Sequence, residues 1–202
     1  MDLKDTYNKI AKDWHKDHQK DEWWVVGTDK FVSLLAENDL VLDVGCGAGT
    51  KSKYLIGKGL EVVGIDFSKE MIKIAKKEVP AGRFMVLDLD DIENLKETFD
   101  GIFMQAVLLH IPKKKIIPVL EKVAKKLKKG GYLYIAVKEK RKNGQEEEVV
   151  LENDYGYEYE RFFSYFSKDE IIGYMKEIGL KIVHEAVTDL GNTNWIQVIG
   201  KK

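Results

Sequence analysis

Residues 41–49 read Val-Leu-Asp-Val-Gly-Cys-Gly-Ala-Gly. An apolar run enters a glycine loop, and Thr50 to Ile56 can start a helix directly after it. Such a turn lets backbone approach a ligand closely and aims free helix N–H groups at an anionic group. Asp43 stands where a buried parallel strand should be apolar. A buried carboxylate is costly unless a donor or a ligand meets it. Asp66 ends a second apolar run, Val62-Val63-Gly64-Ile65, twenty-one positions after Gly45. An acid at that distance is placed to accept hydrogen bonds from ribose hydroxyls. The dinucleotide fingerprint is G-x-G-x-x-G; the loop here, Gly45-x-Gly47-x-Gly49, is one residue shorter and carries the extra acid.

The rest of the chain alternates between strand and helix patterns. Leu40–Val44, Glu61–Ile65, Phe84–Leu87, Phe99–Gln105 and Tyr132–Val137 read as short buried strands. Helical stretches lie between them at about 50–57, 69–79 and 113–128, the last closed by Gly130-Gly131. This alternation implies a parallel sheet with right-handed crossovers and a ligand at the strand carboxyl ends. Upstream, Leu3, Tyr7, Ile10, Trp14 and His18 share one helical face. A second helix is expected over about Asp29–Ala36, capped by Thr28. Downstream, Ser167 to Glu170 forms a capping box, and Gly179 closes the helix it opens. Two strands, about Leu180–Val187 and Trp195–Gly200, have a short connection and so run antiparallel.

Residues 43–49 resemble the first motif of the class I S-adenosylmethionine-dependent methyltransferases: an acid, an apolar residue, then G-x-G-x-G. The resemblance covers roughly residues 38–200. It implies an α/β, Rossmann-like, seven-stranded and mostly parallel sheet in order 3-2-1-4-5-7-6, with strand 7 antiparallel and helices on both faces. It implies a single domain: a helical extension over the cofactor site (1–37), a cofactor core (38–138), an acceptor-side insertion (139–166) and a C-terminal helix with antiparallel strands (167–202).

It also implies roles for residues. Asp43 would sit near the methionine amino group of the cofactor, and Gly45, Cys46, Gly47 and Gly49 would lie against its methionine moiety. Asp66 would hold the ribose. Phe67 and Met71 would sandwich the adenine; Met71 also reads as simple core on the face it shares with Ile74 and Ala75. Asp88, preferred over Asp90 by strand position, would face the adenine amino group, and the Leu89 N–H would reach a ring nitrogen. Gln105 would end the fourth strand beside the transferred methyl, and Tyr7 would cover the cofactor. His110, in Leu109-His110-Ile111-Pro112, reads either as a general base or as a residue packing the loop.

The acceptor pocket is expected from the variable parts. Trp14 and Trp23 precede the core, and Tyr157 and Arg161 lie in an aromatic segment after strand five. Arg161 could clamp an anion, or pair with Glu158 or Glu160 on a strand that packs its rings inward. Gln145 to Glu148 reads as a mobile loop, a candidate lid.

Composition narrows the alternatives. A net charge of −1 over 202 residues gives no general attraction to nucleic acid or acidic lipid. The lysines at 113–115 and 125–129 fit a solvated helix face. Cys46 is the one cysteine, which excludes an intrachain disulfide, a CxxC zinc site and a cysteine-ligated cluster. No apolar run approaches the ~20 residues of a membrane helix, and no secretory signal is visible, so the expected location is cytoplasmic. The expected enzyme is a methyltransferase using S-adenosyl-L-methionine, with S-adenosyl-L-homocysteine as product, without a metal. It is a monomer or homodimer acting on O or N of a small molecule. The alternatives are an RNA or protein methyltransferase, a non-catalytic cofactor-binding partner subunit, and a nucleotide-dependent oxidoreductase. The N/D-P-P-Y/F motif of amino-group nucleic-acid methylases is absent after strand four, where Gln105-Ala106-Val107-Leu108 stands.

Overall fold

The computed structural model describes residues 2–202. Seven strands form the main sheet: β1 (Leu40–Val44), β2 (Glu61–Asp66), β3 (Arg83–Val86), β4 (Phe99–Gln105), β5 (Leu127–Lys138), β8 (Lys181–Asp189) and β9 (Asn194–Lys201). Their order is β3-β2-β1-β4-β5-β9-β8, with β9 antiparallel to both neighbours. This is the expected order, the last two strands carrying higher numbers because a separate hairpin precedes them. That hairpin pairs β6 (Glu147–Glu152) with β7 (Tyr159–Ser164).

The helices are α1 (Leu3–His18), α2 (Val25–Val32), α3 (Thr50–Gly57), α4 (Lys69–Glu78), α5 (Ile116–Lys126) and α6 (Lys168–Glu177). β1 and β2 are buried along nearly their whole length, as apolar parallel strands require. α4 is capped by Ser68, whose hydroxyl accepts from the Met71 N–H. α6 has the reciprocal capping box between Ser167 and Glu170. Each cap satisfies helix N–H groups that would otherwise be orphaned.

Three sequence expectations are corrected. α2 starts at Val25, not Asp29, and Thr28 lies inside it. The Thr28 hydroxyl donates one turn back to the Trp24 carbonyl, so it is not a cap. Gly27 permits the earlier start: a Cβ there would fall 1.7 Å from Gln197 Oε1, so only glycine lets α2 lie this close to the sheet. α5 ends at Lys126, and Gly130-Gly131 belongs to β5 rather than to a helix stop. Leu127 already pairs with Phe99 of β4, and a bulge lies between there and the Gly101–Tyr132 pairing. Finally, Glu147 and Glu148 open β6, and Glu146 pairs with Lys113 and Lys140. The stretch expected as a loose loop is tied down by charge and by the hairpin ladder.

The parallel strands end on one side of the sheet, and the loops after them meet there. α1 crosses above this edge and is fixed on two sides. Asn8 Oδ1 accepts from the Ser68 hydroxyl and the Glu70 N–H at the start of α4. Thr6 and Lys9 donate to the carbonyls of Glu160 and Glu158 at the hairpin. No described helix is long and apolar enough to cross a membrane.

Candidate functional site

A cavity of about 610 Å³ opens where the parallel strands end. That falls within the ~300–1,000 Å³ usual for small-molecule sites. Its walls come from the glycine loop, the ends of β2 to β5, α1, the chain before α2, and β7.

One half is built mainly from backbone and carboxylates. Gly45, Gly47 and Gly49 have φ of 64°, 51° and 85°, the left-handed region that glycine enters without strain. A Cβ on Gly47 would meet only Trp14, at 3.8 Å. The remaining space around it belongs to the cavity. Gly49 caps α3 and does not line the cavity; a Cβ there would press on Ala75 and Val79 of the α4 region. Cys46 contributes to the wall, but its side chain packs with Ile72, Ala75, Val79 and Phe84. Burial pushes its thiol well above the usual range, so it is not a reactive thiolate.

Asp43 is 3% exposed and accepts from the Ser52 hydroxyl at 2.6 Å. Burial pushes its carboxyl up to about 7, against the opposing pull of that bond and of Lys51. Asp66 accepts from the N–H groups of Ser68 (2.8 Å) and Gly47 (3.0 Å), yet burial still raises it to about 6. Both carboxyls lack enough positive charge or donors in the protein alone. Gln105 is 8% exposed, and its Oε1 has no hydrogen-bond partner. Two under-compensated acids and an orphaned amide oxygen facing one cavity suit a ligand that brings a cation and several hydroxyl or amino donors. Asp88 and Leu89 stand at the end of β3. Asp88 caps a 3-10 turn through the Asp90 N–H and also lines the cavity, as do Phe67 and Met71. Met71 serves the core as well, packed with Ala11 and Ala48.

The other half is aromatic and basic. Trp23 stacks on Trp195 with ring centroids 4.2 Å apart, and Lys138 Nζ lies 4.3 Å from the Phe163 ring centre. Between the halves, Tyr7 and His110 meet at 2.8 Å through the phenol oxygen and Nε2. His110 Nδ1 lies 2.8 Å from the Phe162 carbonyl. A carbonyl only accepts, so Nδ1 carries the proton and Nε2 accepts from the Tyr7 O–H. Arg161 in turn donates to the Tyr7 oxygen at 3.4 Å. Burial, reinforced by the cations Arg161 and Lys138, lowers His110 to about 3, so the ring is neutral throughout the physiological range.

Two candidates sit elsewhere than the sequence suggested, and a third has a different partner. Tyr157 does not line the cavity: its hydroxyl donates to Asp13 on the outer side of α1. Trp14 lines the glycine-loop half, stacked on His18 and beneath Lys51, rather than the aromatic half. Arg161 lines the cavity, but its guanidinium is held by both oxygens of Glu152, neither Glu158 nor Glu160. The register explains this. Arg161 faces Val150 across the hairpin, so Glu152 lies on the same face one step along. Phe163, from the aromatic segment expected to supply the acceptor pocket, lines the cavity; Lys51, Lys138 and Trp195 also line it and were not singled out in the sequence. Lys138 had a usable signal, as it follows directly on the fifth apolar run. Trp195 had none, because its place depends on which strand β9 joins.

Comparison with known proteins agrees with this geometry. A family model described as "Methyltransferase domain" matches residues 41–131. The putative methyltransferase YqeM of Bacillus subtilis is 32% identical over 122 residues, covering 58% of this chain and 48% of that protein. A ubiquinone biosynthesis O-methyltransferase of Idiomarina loihiensis is 33% identical, covering 48% and 41%. The chain thus spans about half or less of the length of these curated relatives. Among solved structures, the 1,6-didemethyltoxoflavin-N1-methyltransferase of Burkholderia thailandensis superposes with a TM-score of 0.77 at 17% identity, over 99% of this chain and 87% of that one. The magnesium protoporphyrin IX methyltransferase of Synechocystis PCC 6803, solved with S-adenosylhomocysteine bound, gives 0.73 at 19% identity, over 99% and 98%. Residues 41–131 therefore match a methyltransferase domain, and the chain has the fold of solved S-adenosylmethionine-dependent methyltransferases.

Proposed function

We propose that the chain is an S-adenosylmethionine-dependent methyltransferase that acts on an O or N atom of a small-molecule acceptor. The division of one cavity into a carboxylate-and-backbone half and an aromatic half carries this reading. In it, Asp43 and the Gly45–Gly47 loop hold the methionine end of the cofactor, Asp66 the ribose, and Phe67, Asp88 and Leu89 the adenine. Gln105 Oε1 takes a donor from the cofactor or the acceptor. Bound there, the cofactor supplies a methyl group made electrophilic by its sulfonium.

The residues of the chain then have three tasks: to align the acceptor, to exclude water and to manage a proton. α1 performs the exclusion, held on one side by Asn8 and on the other by Thr6 and Lys9. Tyr7 and His110 stand at the junction of the two halves. With Nδ1–H fixed on Phe162 and Nε2 taken by Tyr7, His110 in this arrangement orients the phenol rather than receiving a proton. Proton acceptance by Nε2 requires Tyr7 to swing aside and let solvent or acceptor relieve the burial. Positioning is thus the role we assign to His110 in the closed site. A small acceptor also fits the near-neutral chain, which lacks the diffuse charge that draws nucleic acid.

Calorimetry with S-adenosylmethionine, S-adenosylhomocysteine and NAD tests the reading. Binding of the first two without NAD is expected. Tight NAD binding with no response to the methyl donor would reject it in favour of an oxidoreductase.

A further inference from the structure

The methyltransferase reading leaves the acceptor open, and the aromatic half of the cavity narrows it. Gln105 of β4 pairs with Ala136 of β5, and Lys138, two residues on, pairs with Trp195 of β9. Directly paired residues, and residues two apart on a strand, share one face of a sheet. Gln105, Lys138 and Trp195 therefore project from the same face, at the ends of β4 and β5 where the cavity lies. Trp23, just before α2, closes over them by stacking on Trp195. Phe163 from β7 forms the side wall.

Within this recess the charges do not cancel. Arg161 is neutralised by both carboxylate oxygens of Glu152. Lys138 Nζ makes no hydrogen bond and no ion pair among the described residues; a single ring face, that of Phe163, attends it. One ammonium is left over, half-buried and facing a small-molecule cavity. Burial and the nearby Arg161 hold it below the usual lysine range, against the opposing pull of Glu152 and Glu148, neither of which reaches it as an ion pair. A lone ammonium without a nest of backbone donors matches a single negative charge. A phosphate dianion would call for a second free cation beside Lys138 Nζ, and the neighbouring Arg161 is held by Glu152. The surrounding indoles and Phe163 match a flat ring.

Resting on the methyltransferase reading, we infer that the acceptor is an aromatic carboxylate, its ring against the Trp23–Trp195 pair and its carboxylate at Lys138 Nζ. Lys138 is then the residue that selects an acid over its neutral analogue. Such selection follows because a neutral ligand leaves the half-buried ammonium unmatched.

The test uses the full chain saturated with S-adenosylhomocysteine. Three probes, 4-hydroxybenzoate, 4-hydroxycinnamate and indole-3-carboxylate, are titrated by calorimetry, each beside its amide, with tryptophan fluorescence followed in parallel. At least one acid is expected to bind 10-fold or more tightly than its amide and to quench tryptophan emission. Lys138→Met is expected to lose that preference while keeping its affinity for S-adenosylhomocysteine, and Lys138→Arg to retain the preference. S-adenosylhomocysteine binding with no preference for any acid, or a preference that survives Lys138→Met, would overturn the inference alone. Failure of the wild-type chain to bind S-adenosylhomocysteine would overturn the underlying reading and the inference with it.

Discussion

The two halves of the cavity are built in different ways. The glycine-loop half comes from one continuous stretch, β1 into α3, plus the acids at the ends of β1, β2 and β3. Its surface toward the cavity is largely backbone, and its geometry is set by left-handed φ values that few residues other than glycine adopt. The aromatic half and its junction with the first are assembled from side chains far apart in sequence: Trp23 with Trp195 and Lys138 with Phe163 in the half itself, Tyr7 with His110 at the junction. Its shape depends on how α1 and the hairpin rest on the sheet. A backbone-built site tolerates little change at few positions. A side-chain-built site can be re-equipped residue by residue while the sheet stays as it is. The first half suits a constant ligand and the second a variable one.

The largest expected effect strikes the constant half. Gly47→Val places a branched side chain in the cavity and forces a non-glycine residue to φ of 51°. Affinity for S-adenosylhomocysteine should fall beyond detection in calorimetry, while circular dichroism reports an intact fold. Unchanged affinity in the folded variant would move the ligand elsewhere and dissolve the comparison.

Asp66→Ala should cost about 1.5–3 kcal/mol of cofactor affinity, the range for a hydrogen bond to a charged group. Acceptor-side ligands should be unaffected. An equal loss on both sides would show that Asp66 supports the cavity as a whole.

Tyr7→Phe probes the junction. It removes the donor to His110 Nε2 and the oxygen that Arg161 contacts. Leaving a buried acceptor unsatisfied costs about 1–3 kcal/mol of stability, read by chemical denaturation. His110→Ala should cost no more when Tyr7 is already Phe, since paired residues are not additive. A normal turnover per folded molecule in Tyr7→Phe would assign the pair to structure alone.

The mildest effect is a pH dependence confined to the carboxylate half. Asp43 near 7 and Asp66 near 6 lie above the ~3.9 of an unfolded aspartate. A raised folded value means the folded chain holds protons that the unfolded chain has lost. The ligand-free protein therefore loses stability as pH rises from about 4 to 7. A cationic, hydroxyl-bearing ligand stabilises the ionised acids, so its binding should release protons and tighten by about 3- to 10-fold between pH 5.5 and 7.5. Calorimetry in buffers of differing ionisation enthalpy measures the release. Proton uptake on binding would contradict the assigned roles of both acids. His110, near 3, should contribute no limb to a pH–rate profile in this range.

The constant half was legible in the sequence for the reason that makes it constant. The acid, glycine loop and second acid are local, and β1 and β4 have the bounds their apolar runs suggest. Sheet order followed from the strand–helix alternation together with the family resemblance. What the sequence did not disclose depends on register. Glu152 as the partner of Arg161 requires the β6–β7 pairing, and Lys138 beside Trp195 requires β9 to lie antiparallel on β5. Trp14 carried an aromatic signal without an address; α1 turns it toward the glycine loop. Tyr157 belongs to an aromatic cluster that fastens the hairpin to α1 instead of lining the cavity. Density of aromatic residues marked the right region, but could not separate wall from fastening.

One cavity, on this reading, joins a cofactor half to a small-molecule half. Transfer of a labelled methyl group from S-adenosylmethionine tests it most directly, with the purified chain offered a small-molecule extract, total RNA and total protein side by side. Label is expected in the small-molecule fraction and is lost in Gly47→Val. Label confined to RNA or protein would contradict the small acceptor. S-adenosylhomocysteine binding without label in any fraction would contradict transfer itself and favour a non-catalytic cofactor-binding subunit.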